Sequence, residues 1–213
     1  MPHYKMSILE EKGFVVLENF GTPIDPSEWM GMEYVDWKSG GDTNFAPIAS
    51  AFGDMECAGF WDHGKPDKDG IWTQNAEQCP TLVSWAEAAG VRYGRVRTIK
   101  LNPNTYEEAV HNLHPDDNNR LNPDGEGWVV RTWLQLTDNP DSFMIVREDK
   151  DDPSTESRIP LPAGAQFVVD SERLWHAVWH PGPEPRFALI VSFESGPALE
   201  GWIKERLPEP ATV

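Results

Sequence analysis

The amino-acid sequence predicts a mainly β fold with flanking helices, arranged as a sandwich or barrel. Three observations predict it. From Arg92 onward, short strand-like segments rich in β-branched and aromatic residues recur at regular spacing. Turn signals separate them, and the 19 prolines are scattered as punctuation rather than gathered into a linker. The helical patterns lie ahead of this stretch, so a helical N-terminal half is expected to lean on a C-terminal β-sandwich.

Element by element, residues 7–13 read as a short helix stopped by a glycine. Phe14-Val-Val-Leu17 follows as a strand, and Gly21 to Pro26 as a turn. Residues 38–80 are rich in Gly, Asp and Pro and carry weak signals. Within them, Asp67-Lys-Asp69-Gly70 looks like a fragment of a calcium loop. Lys65 and Ala76 stand where such a loop needs its first and last carboxylates, so it reads as a turn. Residues 81–89, capped by Gly90, form the clearest helix. Residues 96–101 alternate loosely and stop at Asn102-Pro-Asn104. Further strands are expected at 128–136, 143–146, 166–169 and 186–193. Asn139-Pro140, Pro153, Pro162-Ala-Gly164 and Pro181-Gly-Pro183 separate them. The expected division is one domain over 1–213: a helical and loop support over 1–92, a β-sandwich core over 93–195, and a C-terminal segment over 196–213.

Composition narrows the function classes. Apolar residues make up 39% and charged residues 25%, as in ordinary globular proteins. The net charge of −17 repels phosphate backbones and argues against nucleic-acid binding; it fits a solubility role. Cys57 and Cys79 lack a CxxC spacing, and are expected to be reduced and idle. The N-terminus has no apolar core of signal-peptide length, and no later run is long enough to span a bilayer. The expectation is a cytoplasmic protein without membrane contact, of undetermined oligomeric state.

The histidines are His3, His63, His111, His114, His176 and His180, and four of them fall in two groups within the β half. His114-Pro-Asp116 is an H-x-D pair, His176 lies in Leu174-Trp-His-Ala-Val-Trp-His180, and Arg186 follows at +10. In extended backbone, residues i and i+2 point the same way, so H-x-D supplies two neighbouring metal ligands. A third can come from a distant strand. Two imidazoles and one carboxylate on one face of an octahedron leave the other positions open, which suits Fe(II), O2 and a chelating co-substrate. An arginine fork would hold the far carboxylate of 2-oxoglutarate, and Ala188, Ile190 and Ser192 share the face of Arg186. His111 and His180 compete for the ligand places; Leu113 denies His111 a carboxylate two positions on, and His180 lies six before Arg186. Asp116 has the alternative of a turn residue. Arg131, on a strand face with Trp133 and Gln135, is either a carboxylate receptor for substrate or co-substrate, or half of a surface ion pair.

His114, Asp116, His176 and Arg186 together resemble the motif of iron(II)/2-oxoglutarate-dependent dioxygenases. Residues 131–137, residues 161–169 and Trp175-His176 are similar to the aspartyl/asparaginyl β-hydroxylase branch. Residues 8–19 resemble the first helix and strand of many such oxygenases. The close resemblance covers 95–195, and 20–80 matches nothing recognisable. Ala188 departs from the family, many members of which carry serine or threonine there. The gap from Asp116 to Arg131, rich in Asp, Asn and Gly, is expected to be an active-site loop. The resemblance implies a double-stranded β-helix, a jelly roll of cupin-like form. It further implies Fe(II) and 2-oxoglutarate as cofactors, O2 as reactant, and hydroxylation of a C–H bond in an amino-acid-like, peptidic or small natural-product substrate. Two other classes stay open: a cupin-type metal enzyme that does not use 2-oxoglutarate, and a non-catalytic binding domain on the same fold.

Overall fold

The computed structural model describes residues 6–36, 43–122 and 127–209. In chain order it contains β1 (Phe14–Leu17), α1 (Ser27–Met30), β2 (Val35–Asp36), β3 (Thr43–Ser50), β4 (Ile71–Trp72) and α2 (Pro80–Glu87). Next come β5 (Tyr93–Leu101), α3 (Tyr106–His111), β6 (Val129–Gln135), β7 (Asn139–Arg147) and β8 (Ser157–Leu161). The chain closes with β9 (Gln166–Val169), β10 (Trp175–Trp179), β11 (Arg186–Glu194) and α4 (Pro197–Lys204). An eight-stranded sheet runs β1-β9-β6-β11-β5-β3-β2, with β4 paired to β3. A three-stranded sheet runs β10-β7-β8. All of these pairings are antiparallel.

The register decides what each face carries. Arg131 lies opposite Ser192, Trp133 opposite Ile190, and Gln135 opposite Ala188. Ile190 in turn pairs with Arg97, and Arg186 with Leu101. Side chains alternate along a strand, so these residues share one face. That face meets the small sheet through Phe45, Trp133, Met144, Val146, Phe167 and Ile190. The opposite face, with Leu134, Leu189, Val191 and Phe193, packs under Leu82, Trp85, Trp202 and Ile203. Burying each aliphatic side chain there contributes about 1.5–3 kcal/mol. Both faces are covered, so the large sheet is a rigid platform for the polar side chains on its inner surface.

The segment 1–92 is more than helical and loop support. It supplies β1, β2, β3 and β4 to the large sheet. β3 went unseen because its residues 45–50 are all buried and show no alternation. Pro47 sits where the β3–β5 register shifts, a place where a missing N–H is tolerated. The expected helix at 7–13 is a single 3-10 turn, Ser7–Leu9. Gly13, at φ 71°, then redirects the chain into β1. Asn139-Pro140 belongs to β7 rather than to a turn, beside a register shift against β8. α2 begins at Pro80 with proline in its first turn, and Glu28 Oε2 accepts from the amides of Thr81 (2.8 Å) and Leu82 (3.4 Å). α4 occupies part of 196–213.

Cys57 and Cys79 are free and buried, and burial pushes the Cys79 thiol up to about 12. Among the described residues, no helix is long and apolar enough to cross a membrane.

Candidate metal centre

The chain itself brings His114 and His176 together. β10 carries His176 opposite Val146 of β7. α3 opens with a reciprocal cap, in which Glu108 N donates to Thr105 Oγ1 and Thr105 N donates to Glu108 Oε2; its far end delivers the chain to His114. His114 N donates to His176 O (3.3 Å), and His176 N donates to His114 O (3.0 Å). Asp116 N donates to Ser171 O at 2.8 Å, fixing the other end of the H-x-D pair. As a result, ligand atoms of His114, Asp116 and His176 all lie within 4.8 Å of one another.

The imidazoles are oriented for metal binding. His114 Nδ1 lies 2.9 Å from Asn112 O, and His176 Nδ1 lies 3.3 Å from Leu174 O. A proton on each Nδ1 leaves each Nε2 as the donor atom, the usual arrangement behind a metal-bound histidine. Burial pushes His176 down to about 4, which keeps its ring neutral and available near neutral pH. Trp133 meets the His176 ring edge-on at 5.8 Å and stacks on Phe167, which limits ring motion. Two imidazoles and a carboxylate suit Fe(II), with positions left open on one side.

Behind these three side chains lies a buried ionic network. Arg131 donates from Nε to Asp116 Oδ2 (3.1 Å), from Nη2 to Asn118 Oδ1 (2.8 Å), and from Nη1 to Ser192 Oγ. Ser192 Oγ donates to Asp67 Oδ2 at 3.0 Å. Asp67 also accepts from Arg95, through Nε (3.0 Å) and the backbone N–H (2.7 Å). Burial alone would raise the Asp116 carboxyl, but Arg131, His176 and Arg95 together hold it well below the usual carboxylate range. Asp116 is therefore an anion, the form that can bind a cation.

These three side chains face a cavity of about 800 Å³ whose wall includes Phe45, Trp61, Arg97, Trp133, Met144 and Arg186. Arg186 is fully enclosed, and its Nε donates to Gln135 Oε1 at 2.9 Å. Its Nη1 and Nη2 have no hydrogen-bond partner among the described residues. Burial pushes its guanidinium down to about 9. A buried cation with two idle donors in a cavity wall is matched by a ligand carboxylate. The residues present therefore fit both a divalent metal and a dicarboxylate co-substrate.

The structure thus gathers His114, Asp116, His176 and Arg186 around one cavity. Arg131 borders it too, but the carboxylate it holds is the chain's own Asp116. His111 is exposed at the end of α3. His180 is fully buried, its ring held by Ser142 Oγ (2.8 Å) and Glu184 O (2.7 Å). Sequence reasoning gave no network role to Asp67, Arg95 or Asn118: Asp67 lies in a segment that reads as a turn, Asn118 lies in the expected active-site loop, and no motif marks Arg95. Of the expected active-site loop, 123–126 lie outside the described residues. Asn118, Asn119 and Asn122 before them are buried and hydrogen-bonded.

No protein-family model matches the chain. No curated protein matches it either. Solved structures do. A prolyl hydroxylase from Trichoplax adhaerens, in complex with a peptide of the hypoxia inducible factor oxygen degradation domain, matches at TM-score 0.52 and 12% identity, over 91% of this chain and 89% of its own. The non-haem α-ketoglutarate-dependent carbocyclase SnoK of nogalamycin biosynthesis matches at TM-score 0.53 and 14% identity, over 88% and 81%. HygX from Streptomyces hygroscopicus, with nickel and 2-oxoglutarate bound, matches at TM-score 0.51 and 11% identity, over 88% and 84%. At such identities the likeness is one of fold: this chain has the double-stranded β-helix architecture found in these oxygenases.

Proposed function

We propose that the protein is a non-haem Fe(II)/2-oxoglutarate-dependent oxygenase that hydroxylates a C–H bond of an amino-acid-like, peptidic or small natural-product substrate. The observation that carries this reading is Arg186: a fully buried guanidinium, with both η nitrogens idle, in the wall of the cavity that His114, Asp116 and His176 face. His114, Asp116 and His176 would hold the iron, and Arg186 the far carboxylate of 2-oxoglutarate. When bound, iron and 2-oxoglutarate supply O2 activation coupled to decarboxylation, giving succinate and CO2 while one oxygen atom goes to the substrate. The chain's own part is to fix geometry and exclude water. Arg131 holds the Asp116 carboxylate in one orientation, and Trp133 and Met144 present an apolar wall. Asp116 fills the ligand place that a small residue would leave open to another anion, which favours hydroxylation. The volume of the cavity leaves room for a substrate beside 2-oxoglutarate. Structural neighbours that handle a peptide or a small natural product accord with this range, and the resemblance of 131–137 and 161–169 to the aspartyl/asparaginyl β-hydroxylase branch supports it.

The test has two parts. Anaerobic protein is expected to bind one Fe(II), and His114→Ala, Asp116→Ala or His176→Ala to weaken binding sharply. Arg186→Ala should spare iron but weaken 2-oxoglutarate by tens- to hundreds-fold, since losing a buried charge-assisted contact costs about 2–4 kcal/mol. Slow uncoupled turnover should form succinate in wild type and not in Asp116→Ala. Iron-loaded wild type that forms no succinate would overturn the oxygenase reading in favour of a cupin-type metal enzyme.

A further inference from the structure

Arg186 is held by a neutral partner. Among the described residues its guanidinium makes one hydrogen bond, from Nε to Gln135 Oε1 at 2.9 Å, and both residues are almost wholly enclosed. β6 and β11 pair so that Gln135 lies opposite Ala188, two positions beyond Arg186 on the same face. The amide therefore reaches Arg186 diagonally, across a side chain too small to interfere. Its own orientation is fixed from the other end. Gln135 Nε2 donates to Thr137 O (3.0 Å), Thr137 Oγ1 (3.2 Å) and Asn139 Oδ1 (3.1 Å). Thr137 Oγ1 donates to Asn139 Oδ1 and accepts from the Phe187 amide. With its nitrogen facing acceptors, the amide must turn its oxygen to Arg186.

An acidic side chain at 135 would orient Arg186 too, but it would also neutralise it. A buried arginine already paired with a protein carboxylate has little left for a ligand, because desolvation of the pair has been compensated internally. An amide oxygen fixes the plane of the guanidinium and leaves its full charge on the cavity side. We propose that Gln135 is a specificity-determining positioning residue: it aims Arg186 without neutralising it, so that the site selects a 2-oxo dicarboxylate over the corresponding monocarboxylate. This rests on the co-substrate reading above.

The experiment titrates nickel-loaded protein, which does not turn over, with 2-oxoglutarate and with 2-oxopentanoate, the same chain lacking the far carboxylate. Wild type should prefer 2-oxoglutarate. In Gln135→Glu that preference should fall by on the order of tenfold or more, with 2-oxopentanoate binding little changed. Gln135→Met, which keeps the packing and removes the acceptor, should shift the ratio in the same direction by less. A residue that merely supported the fold would weaken both ligands in parallel, so parallel loss overturns the inference. A folded Glu variant with the wild-type ratio overturns it as well, and if that variant does not fold, the Met variant decides on the same ratio. If wild type itself shows no preference for the dicarboxylate, the co-substrate reading fails first, and the two failures are thereby told apart.

Discussion

Asp67 is enclosed on all sides and accepts hydrogen bonds from Arg95 and Ser192, with Arg131 at 3.6 Å. Taking away one member of such a cluster leaves cations buried without balance. Asp67→Asn should therefore destabilise the fold by about 3 kcal/mol or more, read by urea denaturation. The pH dependence has a definite sign. Burial alone would raise this carboxyl, but Arg95 and then Arg131 pull it below 3.8. Its contribution is thus complete above the unfolded value and fades as pH falls through the lower folded one. Stability against pH in that acid range should be flatter in Asp67→Asn than in wild type; identical slopes would mean that Asp67 does not carry the effect. At this scale the cluster of His114, Asp116 and His176 was legible because H-x-D and a +10 arginine are chemical patterns that survive without a fold. Asp67 was not. A carboxylate that acts only by meeting Arg95 and Arg131 from elsewhere in the chain leaves no local spacing to read.

Between elements, β5 approaches the turn that holds Asp67 closely. A Cβ on Gly94 would stand 2.1 Å from Asp67 Oδ1 and 2.2 Å from its carbonyl oxygen. Backbone cannot yield as a flexible side chain would. Gly94→Ala should cost more than the roughly 1–3 kcal/mol typical of overpacking, and should also weaken Fe(II) binding by displacing the support behind Arg131 and Asp116. Thermal unfolding and an iron titration check both, and an unchanged Tm would show that turn and strand separate freely. Elements with strong local preference were legible: β1, β9 and β11 fall on segments rich in Val, Phe and Ile. α3 carried a readable signal in Thr105-Tyr-Glu-Glu108, a capping box that went unread beside the Asn102-Pro-Asn104 break. β3 carried none, since burial on both faces erases the alternation by which a strand is recognised.

Over the whole molecule, the net charge of −17 opposes the compact state through self-repulsion, while the cations that matter most to the site are internal. Exposed charges are screened over about 8 Å at physiological salt, and buried pairs much less. Raising NaCl from low to moderate concentration should therefore raise Tm by a few degrees without disturbing the Asp116–Arg131 pair. A falling Tm would locate the dominant electrostatics inside instead. Metal should stabilise by linkage: an ion at 100 times its Kd contributes about 2.7 kcal/mol, or roughly 5–10 °C in Tm for a chain of this size. Ni(II) should give this shift in wild type and not in His176→Ala.

The paired main-chain hydrogen bonds between His114 and His176 are made by the polypeptide alone. The seat for the ion is consequently part of the fold and does not need to be rebuilt each time it is filled. An ion oxidised or stripped by a chelator can leave without unravelling its surroundings, and a fresh one finds the same geometry waiting. For the iron proposed above, upkeep is then a matter of resupply rather than of refolding.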